Sequence, residues 1–266
     1  MKRAKINILL IIVLLITILA FGQVSAVDLN GREIFDRAQT LDAVNDFKAE
    51  MKMTIIRQSA RKRVRKLETK TLTQENGIEM TMMRFLEPAD VRGTGFLTIE
   101  DPDGADKTYL YLPAMGKPRR ISSEERGGNF MGSDFTYEDL SFTLSDYNHK
   151  LLGGEKIDGD DVYVVESIPV SKDIKDNVGF TKRKSYFSKE RLVMLKSIYF
   201  NERGKKFKKL INSEFKQIKD GEWLVTRMVM QNEEAGSKTI IEYDDFEINT
   251  GISADQFSVR QLTRPL

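Results

Sequence analysis

Few residues in this chain could do chemistry. His149 is the only histidine and there is no cysteine. Cysteine nucleophiles, multi-histidine metal sites and Cys/His zinc sites are therefore excluded. His149, flanked by "DYN" and "KLL", reads as a residue near the start of a strand rather than a general base. Carboxylate pairs recur at Glu124–Glu125, Glu138–Asp139, Asp158–Asp161 and Asp244–Asp245. A hydrolase could use such a pair as acid and base, but their abundance singles none out. "DPDGAD" at 101–106 and "IDGDD" at 157–161 are fragments of a calcium loop without its closing glutamate, and read as hairpin turns. "GGNFMG" at 127–132 lacks the Gly-Lys-Ser/Thr that completes a phosphate loop. No catalytic residue, metal or cofactor is expected.

The ends and the charge balance point to a compartment. "MKRAK" is a basic start, residues 8–21 form an apolar run shorter than a membrane span, and "VSA" at 24–26 offers small residues for cleavage. Residues 1–26 read as a cleaved signal peptide, with an uncleaved anchor as the rival reading. Removing them takes three positive charges, so 42 basic against 40 acidic residues becomes 39 against 40. A near-neutral domain argues against nucleic acid as partner. Without cysteine there is no lipidated N-terminus and no disulfide, so the exported domain must be held by its own core. The expectation is a soluble, periplasmic, unlipidated monomer.

The remaining sequence supplies mostly strands. Asn30 and Glu33 form a capping pair before Ile34, Phe35, Ala38 and Leu41, which share one helical face. Turn pairs at Asn76-Gly77, Asp158-Gly159 and Asp220-Gly221, with turns at 101–104, 201–204 and 234–237, separate runs rich in Val, Ile, Tyr and Phe. About ten antiparallel strands follow, in one domain over 27–266 with no linker. Segments such as "EWLVTRMVM" and "DVYVVESI" are apolar on both faces, yet one helix is too little cover. That favours a strongly curved sheet with an apolar concavity, a sheet covering itself being the plainer account. Met51, Met53, Met80, Met82, Met83, Met228 and Met230 suit either a core or an adaptable ligand-lining wall.

"FMGSDFTYEDL" at 130–140 is the densest stretch. Thr136 with Asp139 three residues on is a helix start, and Gly127, Gly128 and Gly132 loosen the approach. Upstream, Arg119 and Arg120 lie on a short strand with opposite facings. The inward one is expected to pair with Asp134 or Asp139 and pin the loop to the sheet.

The stretch "YLPAMGKPRRISSEERGGNFMGSDFTYEDL" resembles the central signature of the outer-membrane lipoprotein-sorting protein family, a LolA-like group. Its motif positions here are Tyr111, Pro113, Lys117, Arg119, Arg120, Phe130, Gly132, Ser133, Asp134, Tyr137 and Asp139. The resemblance implies a mainly β fold, an incomplete antiparallel barrel with short helices across its open side. It also implies acyl or lipid cargo, and partnership with an RND-type inner-membrane exporter. The expected function is a carrier, with a lipid sensor or exporter adaptor and a carboxylate hydrolase as rivals. Apolar character alone nominates Phe85, Phe96, Tyr109, Tyr111, Phe130, Met131 and Trp223 as ligand contacts. Arg119, Arg120, Asp134, Tyr137 and Asp139 are nominated as the structural joint.

Overall fold

The computed structural model describes residues 29–39, 44–101, 106–219 and 221–266; the signal-peptide assignment and Leu41 lie outside them. Thirteen strands form one antiparallel sheet: β1 Asp46–Ile56, β2 Lys62–Thr73, β3 Glu79–Glu87, β4 Gly95–Ile99, β5 Lys107–Tyr111, β6 Pro118–Arg120, β7 Tyr147–Ile157, β8 Asp160–Pro169, β9 Lys182–Ser188, β10 Met194–Phe200, β11 Lys206–Lys219, β12 Glu222–Asn232 and β13 Ser237–Ile248. The count exceeds the ten or so expected, while the short strands expected on either side of the 101–104 turn and at Arg119 and Arg120 are all present as β4, β5 and β6. Among the described residues four short helices accompany them: α1 Gly31–Gln39, α2 Tyr137–Leu140, α3 Lys172–Val178 and α4 Val259–Leu262.

The spatial order is β6-β5-β4-β3-β2-β1-β13-β12-β11-β10-β9-β8-β7. Two meanders, β1–β6 and β7–β13, are thus joined side by side where β1 pairs with β13, Phe47 opposite Ile248 and Ile56 opposite Lys238. β6 and β7 do not pair with each other, so the barrel stays incomplete. Register shifts at Ala49/Met51, Lys66/Leu67, Leu151/Gly153 and Met194/Lys196 mark bulges, which bend and twist a sheet.

Local chemistry sets the turns and caps. Asp158 and Gly159 both have positive φ (51° and 96°), the conformation a two-residue hairpin requires. Asn30 Oδ1 accepts from the Glu33 amide while Glu33 accepts from the Asn30 amide, starting α1 as the spacing predicts. Ile34 and Phe35 on α1 then bury completely against Val165 and Phe187.

Both sheet faces are covered, by different means. On the concave side Met51, Met53, Leu67, Phe85, Phe96, Tyr199, Met230 and Ile241 form the main core. On the convex side Met80, Met82 and Leu97 pack under Phe257 and Leu262 of the C-terminal segment. Gly95 permits that packing: a Cβ there would lie 2.5 Å from Leu262 Cδ1.

Candidate ligand cavity and its crossover

Residues 121–146 link the two free edges of the sheet, and so have to cross from β6 to β7. They do so over the concave face. Phe130 is completely buried, with its ring 5.9 Å from Phe85 and 5.3 Å from Phe96. Tyr137 packs edge-on against Phe130 at 5.8 Å and stacks on Phe96 at 5.9 Å. Burial of Phe130 alone contributes about 2–3 kcal/mol.

Polar ties fix the crossover to strand after strand. Met131 and Gly132 have φ of 48° and 70°. Their carbonyls accept from two arginines of the β1–β2 hairpin: Arg65 donates to Met131 O, and Arg57 to Gly132 O at 2.7 Å. Asp134 is buried and accepts from Ser237 Oγ (2.5 Å) and Thr239 Oγ1 (2.7 Å) on β13. Thr136 caps α2 reciprocally with Asp139, as its spacing predicts. Asp139 also accepts from Lys208 Nζ on β11 (2.7 Å) and Tyr199 OH on β10 (2.9 Å). Burial pushes the Asp139 carboxyl up, but Lys208 and the Thr136 donors outweigh it and hold it below the usual range. Glu138, 1% exposed, takes Arg126 Nε at 2.7 Å and Tyr147 OH at 2.5 Å; desolvation pushes it up to about 7.

The expected arginine tie does not form. Arg119 donates to Glu125 at 2.7 Å, a partner on the same segment, and Arg120 is exposed. Asp134 is held by hydroxyls and Asp139 by a lysine. Sequence proximity suggested the arginines; the strands that hold these two acids, β10, β11 and β13, come from the other half of the chain.

Between crossover and sheet lies a cavity of about 1250 Å³. Its apolar wall includes Met51, Met83, Leu224, Met228, Phe135, Leu140, Phe142 and Ile241. Thr69, Thr71, Thr81 and Thr143 add hydroxyls. Asp36, Asp46, Glu75, Glu79, Glu100, Asp106 and Asp139 are its charged lining, and among the described residues no Lys, Arg or His lines it. Glu79 at the mouth is pushed up to about 7 by desolvation and by Glu100; Glu100 and Asp106 are raised as well, chiefly by desolvation.

The nominated contacts divide by facing. Phe85, Phe96 and Phe130 are core beneath the crossover, and Met131 packs on that core. Tyr109 and Tyr111 pack in the convex cluster under the C-terminal segment. Trp223 also faces away from the cavity, with the Arg191 guanidinium 5.9 Å from its ring. Its neighbour Leu224 is the one that lines the cavity. Of the methionines, Met51, Met83 and Met228 line it. The sequence shows both faces of β12 as apolar, and only the pairing register reveals which face is concave.

Other chemistry is engaged in structure. His149 has both ring nitrogens in hydrogen-bond contact, Nδ1 with Ser167 Oγ (2.8 Å) and Nε2 with Leu144 O (3.0 Å). Among the described residues no cluster of His, Cys, Asp and Glu is poised to hold a metal, and no helix is long and apolar enough to cross a membrane.

A family model described only as an uncharacterized protein matches residues 77–264. The chain is 34% identical to a domain from Vibrio parahaemolyticus assigned to outer-membrane lipoprotein sorting, with a TM-score of 0.81 over 88% of this chain and 98% of that one. It is 28% identical to a DUF1329 family protein from Desulfovibrio piger, with a TM-score of 0.79 over 87% and 97%. A LolA superfamily protein from Nitrosomonas europaea, at 19% identity and a TM-score of 0.66 over 86% and 98%, shares the fold. No curated protein matches.

Proposed function

Since the chain belongs to the outer-membrane lipoprotein-sorting protein family and has its LolA-like fold, we propose that it is a non-catalytic periplasmic carrier. Its cargo is a lipid, the acyl chains of a lipoprotein or a similar hydrophobic molecule, passed toward the outer membrane. The observation that carries this reading is the concave cavity of about 1250 Å³ with its wall of Met51, Met83, Leu224, Met228 and Ile241. That volume is above the ~300–1,000 Å³ of a site for a compact small molecule. Each buried CH₂ contributes about 0.8 kcal/mol, so an acyl chain binds usefully without any charge contact. The wholly acidic charged lining supports entry by the apolar part of the cargo, with an anionic headgroup left outside. Onward transfer then requires a receiver that binds the cargo more tightly than this cavity does.

Native mass spectrometry of the gently purified protein, with organic extraction of what it holds, tests the reading. Bound lipid or acylated peptide, displaced by a fluorescent fatty-acyl probe, is the expected result. A bare mass with no probe binding would overturn it and favour an adaptor that docks on an RND-type exporter.

A further inference from the structure

The strands run between one rim richer in cations and one richer in acids. At one rim three hairpins are consecutive in the sheet order: β1–β2, β12–β13 and β10–β11. Their tips and first strand positions carry Arg61, Lys62, Arg63, Lys238, Arg203 and Lys205, all exposed and with no ion-pair partner among the described residues. The acids among them are engaged: Glu233 with Lys206 at 3.0 Å, Glu202 with Lys175 at 3.4 Å and Glu234 with Asn201 at 2.9 Å. Exposed Val64 (46%) stands beside Arg63, and Met115 (56%) beside Lys117 in the β5–β6 loop of the same rim. The crossover meets the sheet near this rim, at Arg57, Ser237 and Lys208. At the opposite rim Glu75, Asp158 and Asp244 are exposed, Asp161 is exposed and pairs with Lys156 at 3.6 Å, and the cavity wall there includes Gln74, Glu75, Gly77 and Glu79.

We propose that the basic rim docks on an anionic phospholipid surface, with the cavity mouth turned away from it. Unpaired lysines and arginines spread along neighbouring turns suit a diffuse layer of headgroups, which each cation favours independently. The two exposed apolar side chains suit shallow contact with the headgroup region. The acidic rim is repelled by the same surface, so the charge separation sets the orientation as well as the attraction. This inference is independent of the cargo.

The test is flotation of the chain from Val27, which contains every described element, with vesicles of phosphatidylcholine alone or mixed with phosphatidylglycerol. Binding is expected only to the anionic vesicles, and is expected to vanish at about 1 M salt, where the Debye length is about 3 Å. Each cation removed should weaken it about fivefold, so a variant with Arg61, Lys62, Arg63, Arg203, Lys205 and Lys238 all changed to Gln should lose more than about a hundredfold. A control with Lys48, Lys52, Lys70, Lys107, Lys156 and Lys189 changed to Gln has the same net charge and should keep most of the binding. Because the chain has no cysteine, single labels at Ser59→Cys and Glu75→Cys report orientation: a headgroup quencher should dim the first and spare the second. No binding to anionic vesicles, equal binding to neutral ones, equal loss in both variants, or quenching of the Glu75 label would each overturn the proposal. Capture of an acidic protein without vesicle binding would do so too.

Discussion

Replacing Lys208 with methionine removes the ammonium that sits 2.7 Å from Asp139 Oδ2, where the side chains are only 6% and 5% exposed. The carboxylate would keep its bonds from the Thr136 amide (2.8 Å) and Tyr199 OH (2.9 Å) but would face its burial without a cation. Breaking one side of such a pair costs about 3–5 kcal/mol, or roughly 6–20 °C in Tm for a chain of this size. Asp139→Asn should cost a similar amount, since it strands the ammonium. Changing both partners together should cost less than the sum of the two single changes, with a coupling of at least about 2 kcal/mol. Urea unfolding of the four proteins, with probe binding to the cavity measured in parallel, reads both stability and site integrity. If each single change cost under about 1 kcal/mol, or the double were additive within about 0.5 kcal/mol, the tie would not hold the crossover as argued.

Other expectations concern neighbouring features. Gly95→Val should dislodge Leu262, expose the C-terminal segment to limited proteolysis and lower stability by about 2–3 kcal/mol, because the close approach leaves no room for a side chain. Met228→Trp should obstruct part of the cavity and weaken binding of a fatty-acyl probe, while Trp223→Ala on the opposite face should leave probe affinity within about twofold. The Asp139 carboxyl is held below its ordinary value in the fold. Its contribution is therefore fully present above about pH 4 and lost as pH falls through the folded value, so the penalty of Asp139→Asn should shrink in denaturation measured toward pH 3. Glu79 has the opposite sign: its folded value is raised to about 7. The stability it contributes is complete below about pH 4 and lost as pH rises toward 7, so Glu79→Gln should flatten the wild-type decline in Tm between pH 5 and 8.

What the sequence revealed was what is decided locally. The Asn30–Glu33 and Thr136–Asp139 capping pairs and the Asp158-Gly159 turn each depend on a few adjacent residues, and each forms as its spacing predicts. The two-faced strands pointed only to a curved sheet, and the incomplete barrel was implied by the resemblance carried by the motif at 109–140. The partners of the crossover were not. Asp134 meets Ser237 and Thr239, and Asp139 meets Lys208, all far along the chain, whereas the conspicuous arginines at 119 and 120 lie on a peripheral strand. Side-chain facing was equally hidden. Leu224 and Trp223 are both large and apolar, and nothing in their alternation distinguishes wall from outer surface.

The pairing of β1 with β13 also governs the order in which the chain can assemble. Phe47 and Ile248 are joined only after nearly the whole polypeptide has appeared, so a chain emerging from its N-terminus first has β1–β6 as a sheet with two bare edges. Such an intermediate invites wrong strand addition, and its closure requires contacts of high sequence separation, which slow folding. The last strand therefore acts as the completing stave of the vessel. Loss of only the C-terminal hairpin, Glu222 to Ile248, would leave the preceding strands aggregation-prone rather than merely less stable.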